Sequence, residues 1–123
     1  MAAQPDLWGE IQIPNDVRTP LAILREQAAL LGPKTQNLVE AEVDTEPYGS
    51  DLRHRFYLIA PALDNYRYQL FEARHEVTKL YPVVIDYSTR LATQDELMDW
   101  LKNRLSSPET RQVITTLLAQ VKS

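Results

Sequence analysis

The two histidines of the chain, His54 and His75, are the side chains best suited to proton transfer or metal binding. Imidazole titrates near neutral pH and is the commonest metal ligand in proteins. A zinc or acid–base site, however, needs a third group at a defined spacing, and only Glu72 or Tyr68 is available for that role. The expected role of the pair is therefore a local hydrogen bond, and neither a metal site nor a catalytic residue is predicted.

Two tyrosines, Tyr66 and Tyr68, could line a ligand pocket together with the histidines. A tyrosine presents an apolar ring and a hydroxyl group that orients a bound molecule. Tyrosine is also favoured in strands for packing alone, which is the ordinary explanation for its presence here. The candidate ligand pocket, placed between the predicted sheet and helices, consists of His54, Tyr66, Tyr68 and His75.

Composition argues against several classes of protein. The chain of 123 residues contains no cysteine, which excludes disulfides, thiolate metal sites and cysteine nucleophiles. Its three glycines are far apart, whereas phosphate-binding loops hold several close together. The net charge of −4 disfavours a phosphate-backbone binder, and acids alternate with the strand arginines and cancel their field. No cofactor and no nucleic-acid partner are predicted.

Length and hydropathy indicate a single soluble domain over residues 1–123. The N-terminal residues lack the basic and apolar regions of a signal peptide, and no apolar run approaches the roughly 20 residues of a membrane span. We therefore expect a cytoplasmic protein with no membrane partner. Residues 1–18, which include an alternating Ile-Gln-Ile segment, are expected to form an extended arm or a short edge strand.

The elements that position these side chains follow from period-two alternation between residues 38 and 87. Apolar and acidic residues alternate over 38–44, and apolar and basic residues over 53–60, on either side of a turn-rich loop. An antiparallel pair centred on that loop places acids opposite arginines on one face and apolar groups together on the other. The predicted partners are Asp44 with Arg53, Glu42 with Arg55, Ala41 with Phe56, and Val39 with Leu58.

A third strand is predicted over residues 66–77. Its alternation changes parity between Leu70 and Phe71, which indicates either a β-bulge or a strand that crosses between two packing layers. A bulge would let both halves of the strand point apolar groups at one core. The resulting register brings His54 and His75 together on adjacent strands, both facing inward.

A fourth strand is predicted over residues 81–87, after a short turn. It pairs with the third strand so that Ala73 lies opposite Ile85. Pro82 has no amide proton to donate, and it therefore marks this strand as an edge of the sheet.

Three helices are predicted from capping residues and from apolar residues at three-and-four spacing. Thr19 caps the first helix, which ends at the Gly-Pro pair 32–33. Thr93 begins the second with a capping box, in which Glu96 reaches back to the Thr93 amide. Ser107 caps the third helix, and a proline occupies the first position of that helix.

The predicted fold is α+β: an N-terminal helix, a four-stranded antiparallel meander over about 38–87, and two C-terminal helices packed with the sheet. The helix-plus-meander order over residues 19–87 resembles the cystatin-like arrangement. The likeness is one of element order without a shared motif, so it implies a fold and no activity.

Several apolar side chains, Leu38 among them, fall on the sheet face that the alternation otherwise marks as charged. A patch of this kind would receive either the N-terminal arm, through Leu7, Trp8 and Ile11, or a partner subunit. The predicted interaction surface comprises Tyr57, Ile59, Arg67 and Val84.

These observations favour a non-enzymatic protein-interaction or regulatory module that acts on an unknown protein partner or on a second copy of itself, as a homodimer. The alternative is a small-molecule-binding protein or enzyme that uses the tyrosine- and histidine-lined pocket. The first hypothesis depends on the lack of a catalytic constellation in the sequence and on the mixed outer face. The second depends on the inward-facing tyrosines and histidines.

Overall fold

A computed structural model of the chain describes residues 4–15 and 17–123. Residues 1–3 and 16 of the predicted arm lie outside this described part. The described residues form one helix, then five strands, then two helices, with a 3-10 turn at Pro61–Leu63 between the second and third strands. The elements are α1 (Pro20–Lys34), β1 (Glu40–Tyr48), β2 (Asp51–Ala60), β3 (Tyr66–Glu76), β4 (Val83–Ile85), β5 (Thr89–Leu91), α2 (Gln94–Leu105) and α3 (Pro108–Val121).

The five strands form one antiparallel meander in the order β1-β2-β3-β4-β5. The predicted β1–β2 register is wrong by two residues, because β1 continues to Tyr48 and only Gly49 and Ser50 form the turn. Asp44 therefore lies opposite Arg55 instead of Arg53. A shift of two keeps every side chain on its predicted face, which is why the alternation alone could not distinguish the two registers.

The predicted β-bulge is confirmed in β3. Phe56 pairs with Phe71 and Tyr57 pairs with Gln69, so Leu70 is the extra residue. Leu70 and Phe71 are both buried, as the change of parity requires. The parts of β3 before and after the bulge therefore both contribute buried side chains to the same core.

The predicted pairing of Ala73 with Ile85 is also confirmed. The predicted fourth strand is shorter than expected, because a turn at Asp86 and Tyr87, both with positive φ, reverses the chain into β5. The expectation that Pro82 marks an edge strand is wrong, since Pro82 precedes β4 and β5 pairs with the far side of β4.

The helices begin where their caps predict. Thr19, Thr93 and Ser107 each accept a hydrogen bond from the amide three residues later. Two details differ from the prediction. α1 continues through Pro33 to Lys34, since a proline in the last turn removes only one hydrogen bond, and the Glu96 carboxylate accepts from the amide of Ala92, one residue before the cap.

All three helices lie on the apolar face of the sheet and enclose a single core. α1 packs on β1 and β2, α3 packs on β2, and α2 packs on β5. None of the helices in the described residues is long and apolar enough to cross a membrane. The largest buried core side chains include Ile23, Leu24, Phe56, Leu58, Phe71, Ile85 and Leu97.

Candidate functional site

The structure brings the two histidines into direct contact inside the sheet. Their Nε2 atoms are 2.9 Å apart, and both side chains are buried. The second nitrogen of His75, Nδ1, lies 2.7 Å from the Glu76 carbonyl and 3.0 Å from that of Lys79. A carbonyl only accepts, so Nδ1 of His75 carries a proton, and in the neutral pair Nε2 of His75 then accepts from the Nε2–H of His54. Nδ1 of His54 then accepts from the Thr45 hydroxyl, at 2.8 Å.

This hydrogen-bond chain makes the pair a neutral structural unit. Burial lowers the pKa of His54 to about 4, and the Coulombic interactions of the His54 imidazolium with His75 and Arg25 act in the same direction. All four ring nitrogens have partners, which leaves no lone pair free for a metal. No cluster of three or more metal-ligating side chains occurs within residues 4–15 and 17–123. The geometry agrees with a local hydrogen-bonding role.

The four residues of the predicted ligand pocket separate into two pairs. Tyr66 and Tyr68 lie before the bulge in β3, and seven residues of extended strand, about 23 Å, separate Tyr68 from His75. The two tyrosines are exposed and line a surface groove with α3, together with Leu63, Val113 and Leu117. No single pocket can therefore use the tyrosines and the histidines together.

The predicted interaction surface is also only partly assembled. Tyr57, Ile59 and Arg67 are neighbours on the outer face of β2 and β3, whereas Val84 lies beside Arg74 further along the sheet. The Arg67 guanidinium covers the Tyr57 ring at 4.1 Å from its centroid. Ile59 is buried outside the main core. Charged side chains thus cover much of the apolar area, and a binding role for this surface stays a prediction.

The arginines of the outer face are held in ion pairs. Arg67 lies 2.7 Å from Asp44, and this hydrogen bond raises the pKa of Arg67. Arg55 lies 3.2 Å from Glu46 and 3.5 Å from Glu72, whose carboxylate is buried. The predicted charge-paired face is therefore present, with partners shifted by the change in register.

The structure contains a second groove, which sequence reasoning missed. It lies on the helix side of the sheet, between α1 on one wall and the α2–α3 pair on the other, with a volume of about 680 Å³. Ala41 and Phe56 form part of its floor. Polar residues such as Gln27 and Thr110 also line it, and apolar side chains come from all three helices: Leu30, Leu31, Met98, Leu101, Leu105, Ile114 and Leu118.

Three cations surround this groove, one from each helix: Lys34, Lys102 and Arg111. None has a carboxylate oxygen within 4.0 Å among the residues that the structure describes. The outer-face arginines, in contrast, are neutralised by neighbouring acids. We name the apolar lining and its three cations the helix groove.

One sequence signal pointed toward the helix groove. Each helix carries more apolar residues than a single buried stripe needs, for example Leu30 in α1, which is 53% exposed. Their meeting in one place depends on how far apart α1 and α3 pack on the sheet. That spacing is a tertiary property.

The N-terminal arm, residues 4–15, does not cover the outer face as one prediction proposed. Its large apolar side chains point to solvent: Leu7, Trp8, Ile11 and Ile13 are 83%, 82%, 71% and 84% exposed. Residues 4–15 of the arm lie outside every helix and strand.

Comparison of the chain with protein-family models, curated proteins and solved structures gives no match. The function of this chain is therefore inferred from its geometry alone.

Proposed function

We propose that this protein is a non-enzymatic interaction module, and that its helix groove binds an acidic, amphipathic segment of a protein partner. The observation that carries the proposal is the combination of an apolar groove with three cations that lack carboxylate partners in the described residues. A segment that matches this groove would place apolar side chains against its floor and carboxylates beside its cations.

The shape and lining of the helix groove support binding. Its volume of about 680 Å³ falls within the range typical of ligand sites. Leu31, Ala41 and Ile114 line it without closing it, and each is only partly buried. Apolar side chains left partly open to water gain free energy when a partner covers them, by roughly 25 cal/mol per Å² of apolar area.

The charges of the helix groove define which partner fits. Lys34, Lys102 and Arg111 all present positive charge in a molecule whose net charge is −4. Complementary charge at a rim raises the association rate and excludes partners of the wrong sign. A basic segment would be repelled, whereas an acidic one would be attracted.

A small anionic amphiphile is the second candidate ligand. The groove volume suits a drug-sized molecule, and the same cations would bind its carboxylate. This is the small-molecule alternative of the sequence analysis, relocated from the tyrosines and histidines to the helix groove. The segment is preferred because three cations on three separate helices suit several separated carboxylates better than one head group.

The test uses two fluorescein-labelled twelve-residue peptides with the same leucines and tryptophan, one carrying glutamates and the other lysines. We expect the acidic peptide to bind the full chain and the basic peptide not to bind, as measured by fluorescence anisotropy. The double variant Lys102→Glu/Arg111→Glu is expected to weaken binding of the acidic peptide by about tenfold or more.

A matched control separates the groove from net charge. Arg90→Glu/Lys122→Glu makes the same change in charge at two exposed residues outside the groove. Equal loss of binding in both double variants would overturn the groove as the site. Binding of sodium decanoate without binding of the acidic peptide would favour the amphiphile instead.

A further inference from the structure

The N-terminal arm carries four of the most exposed large apolar side chains in the described residues: Leu7, Trp8, Ile11 and Ile13. Single exposed apolar residues are normal on a protein surface, but a short segment that exposes four of them is typical of an interaction site. The segment therefore has the apolar surface of a binding peptide, and its backbone belongs to no helix or strand.

The charges of the arm complement those of the helix groove. Between residues 4 and 15 the arm contains two acids, Asp6 and Glu10, and neither lysine nor arginine. Each acid is adjacent in sequence to one of the apolar side chains. A segment with this pattern presents carboxylates beside large apolar groups, as the groove with its three cations requires.

We propose that the arm of one copy of this chain occupies the helix groove of a second copy, and that the exchange is reciprocal. Leu7, Trp8 and Ile11 would contact the apolar lining, while Asp6 and Glu10 would face the cations of the rim. This inference rests on the proposed function, because it names the occupant of the same groove. A reciprocal exchange satisfies twofold symmetry, in which each copy supplies one arm and one groove.

The attachment point of the arm favours exchange over self-docking. The arm joins α1 at Thr19, whereas the groove is lined by the second half of α1, from Gln27 to Lys34. Entry into its own groove would require the chain to reverse direction at the cap. There the Thr19 hydroxyl accepts from the Ala22 amide and Pro20 fixes the backbone. In the described chain the arm is in fact not in its own groove, since its side chains are exposed.

The experiment measures molar mass by light scattering after size exclusion over a range of concentrations. We expect a dimer that dissociates on dilution. The arm variant Trp8→Ser/Ile11→Ser and the groove variant Lys102→Glu/Arg111→Glu are each expected to weaken the dimer by about tenfold or more. The control Arg90→Glu/Lys122→Glu should leave it unchanged. Far-UV circular dichroism verifies that every variant is folded.

Mixing the two defective variants tests the exchange itself. The arm variant retains an intact groove and the groove variant retains an intact arm, so a mixture restores one of the two contacts. We expect a heterodimer in the mixture and monomers in each component alone at the same concentration. The emission of Trp8, obtained by difference from a Trp8→Phe variant, should shift to shorter wavelength when the dimer forms.

Each other outcome overturns the exchange in a recognisable way. A monomer with solvent-exposed Trp8 at all concentrations would show that the arm does not bind this groove. A monomer whose Trp8 is shielded, and becomes exposed in the groove variant, would show self-docking. A dimer that survives both variants would use another face. In each case, binding of the acidic peptide to the arm variant would still test the proposed function separately.

Discussion

At the scale of single residues, the histidine pair shows how burial can suppress the chemistry that a residue type offers. His54 donates to His75 through their Nε2 atoms, and both outer nitrogens are held by Thr45 and by backbone carbonyls. Each ring is thereby locked in one tautomer. The pair stabilises the fold in its neutral form. Its contribution to the free energy of unfolding therefore depends on pH.

The pH dependence has a definite sign. The pKa of His54 is lowered to about 4 in the folded chain, from an ordinary value near 6.5. Between these values the unfolded chain binds a proton that the folded chain does not, so acid favours unfolding. We expect the free energy of unfolding to fall by roughly 2–3 kcal/mol through this group as the pH drops from about 6.5 to about 4.

Urea denaturation at several pH values measures the effect. Carboxylates also titrate at the acid end of this range. The contribution of His54 is therefore the difference in the free energy of unfolding between the natural chain and His54→Met at each pH. The variant should have lower stability at neutral pH, since His75 loses a partner, and a flatter dependence on pH between 6.5 and 4. Parallel pH profiles for the two chains would contradict a depressed pKa at His54.

At the scale of elements, Arg104 connects the helices to the β-bulge. Its guanidinium donates to the Leu70 carbonyl at 3.2 Å and to the Thr110 hydroxyl at 3.0 Å, and that hydroxyl donates back to the Arg104 carbonyl. Leu70 is the extra residue of the bulge, so its carbonyl is displaced from the regular ladder. One side chain thus holds the α2–α3 corner against the irregular part of β3.

Arg104→Met tests this connection. The substitution keeps an apolar stem of similar length but removes the hydrogen bonds that the guanidinium donates to Leu70, Thr110 and Ser107. We expect a loss of about 1–3 kcal/mol in the free energy of unfolding, because the Leu70 carbonyl and Thr110 lose partners in a poorly solvated place. The exposed Arg90→Met serves as the control, for which a change within about 0.5 kcal/mol is expected. Equal effects would mean that the hydrogen bonds add nothing.

The hairpin register makes a second prediction at the same scale. Arg67 is 2.7 Å from Asp44, so Asp44→Ala and Arg67→Ala should show a coupling energy of roughly 0.3–1 kcal/mol in a double-mutant cycle. Glu42 and Arg55 were partners in the predicted register but not in the observed one. If Glu42 and Arg55 were coupled and Asp44 and Arg67 were not, the result would favour the predicted register over the observed one. Chemical denaturation of the single and double variants measures both cycles.

At the scale of the whole molecule, the charges of the two sheet faces are organised differently. On the outer face, arginines such as Arg55 and Arg67 are paired with acids on neighbouring strands. On the helix side, the cations of the helix groove have no carboxylate partner in the described residues. These three groove cations are therefore available to another molecule.

This organisation predicts a salt effect on self-association. Raising the ionic strength from about 0.05 M to about 0.5 M shortens the Debye length and screens the contact between the acidic arm and the groove cations. We expect the dissociation constant of the dimer to rise several-fold in the natural chain. The neutral variant Lys102→Gln/Arg111→Gln should respond much less. Sedimentation velocity at both salt concentrations measures the change, and an unchanged constant in the natural chain would exclude an electrostatic contribution.

Local patterns were sufficient to predict much of this fold from the sequence. The helix caps at Thr19, Thr93 and Ser107, the faces of the strands, the bulge at Leu70 and the β3–β4 register all depend on residues near one another in the chain or on the alternation along one strand. The strand faces and the bulge each have only one arrangement that buries the apolar set, and the short turn before residue 81 predicted the β3–β4 register. The meeting of His54 and His75 followed from the same alternation.

The remaining features were decided by tertiary structure. The β1–β2 register depended on where the turn closes, and a shift of two residues leaves the alternation unchanged. The groove in which Tyr66 and Tyr68 lie depended on where α3 packs beside β3. The helix groove depended on the gap that packing leaves between α1 and the α2–α3 pair, to which five elements contribute side chains. No local pattern encodes that gap, because it is set by contacts between residues far apart in the sequence.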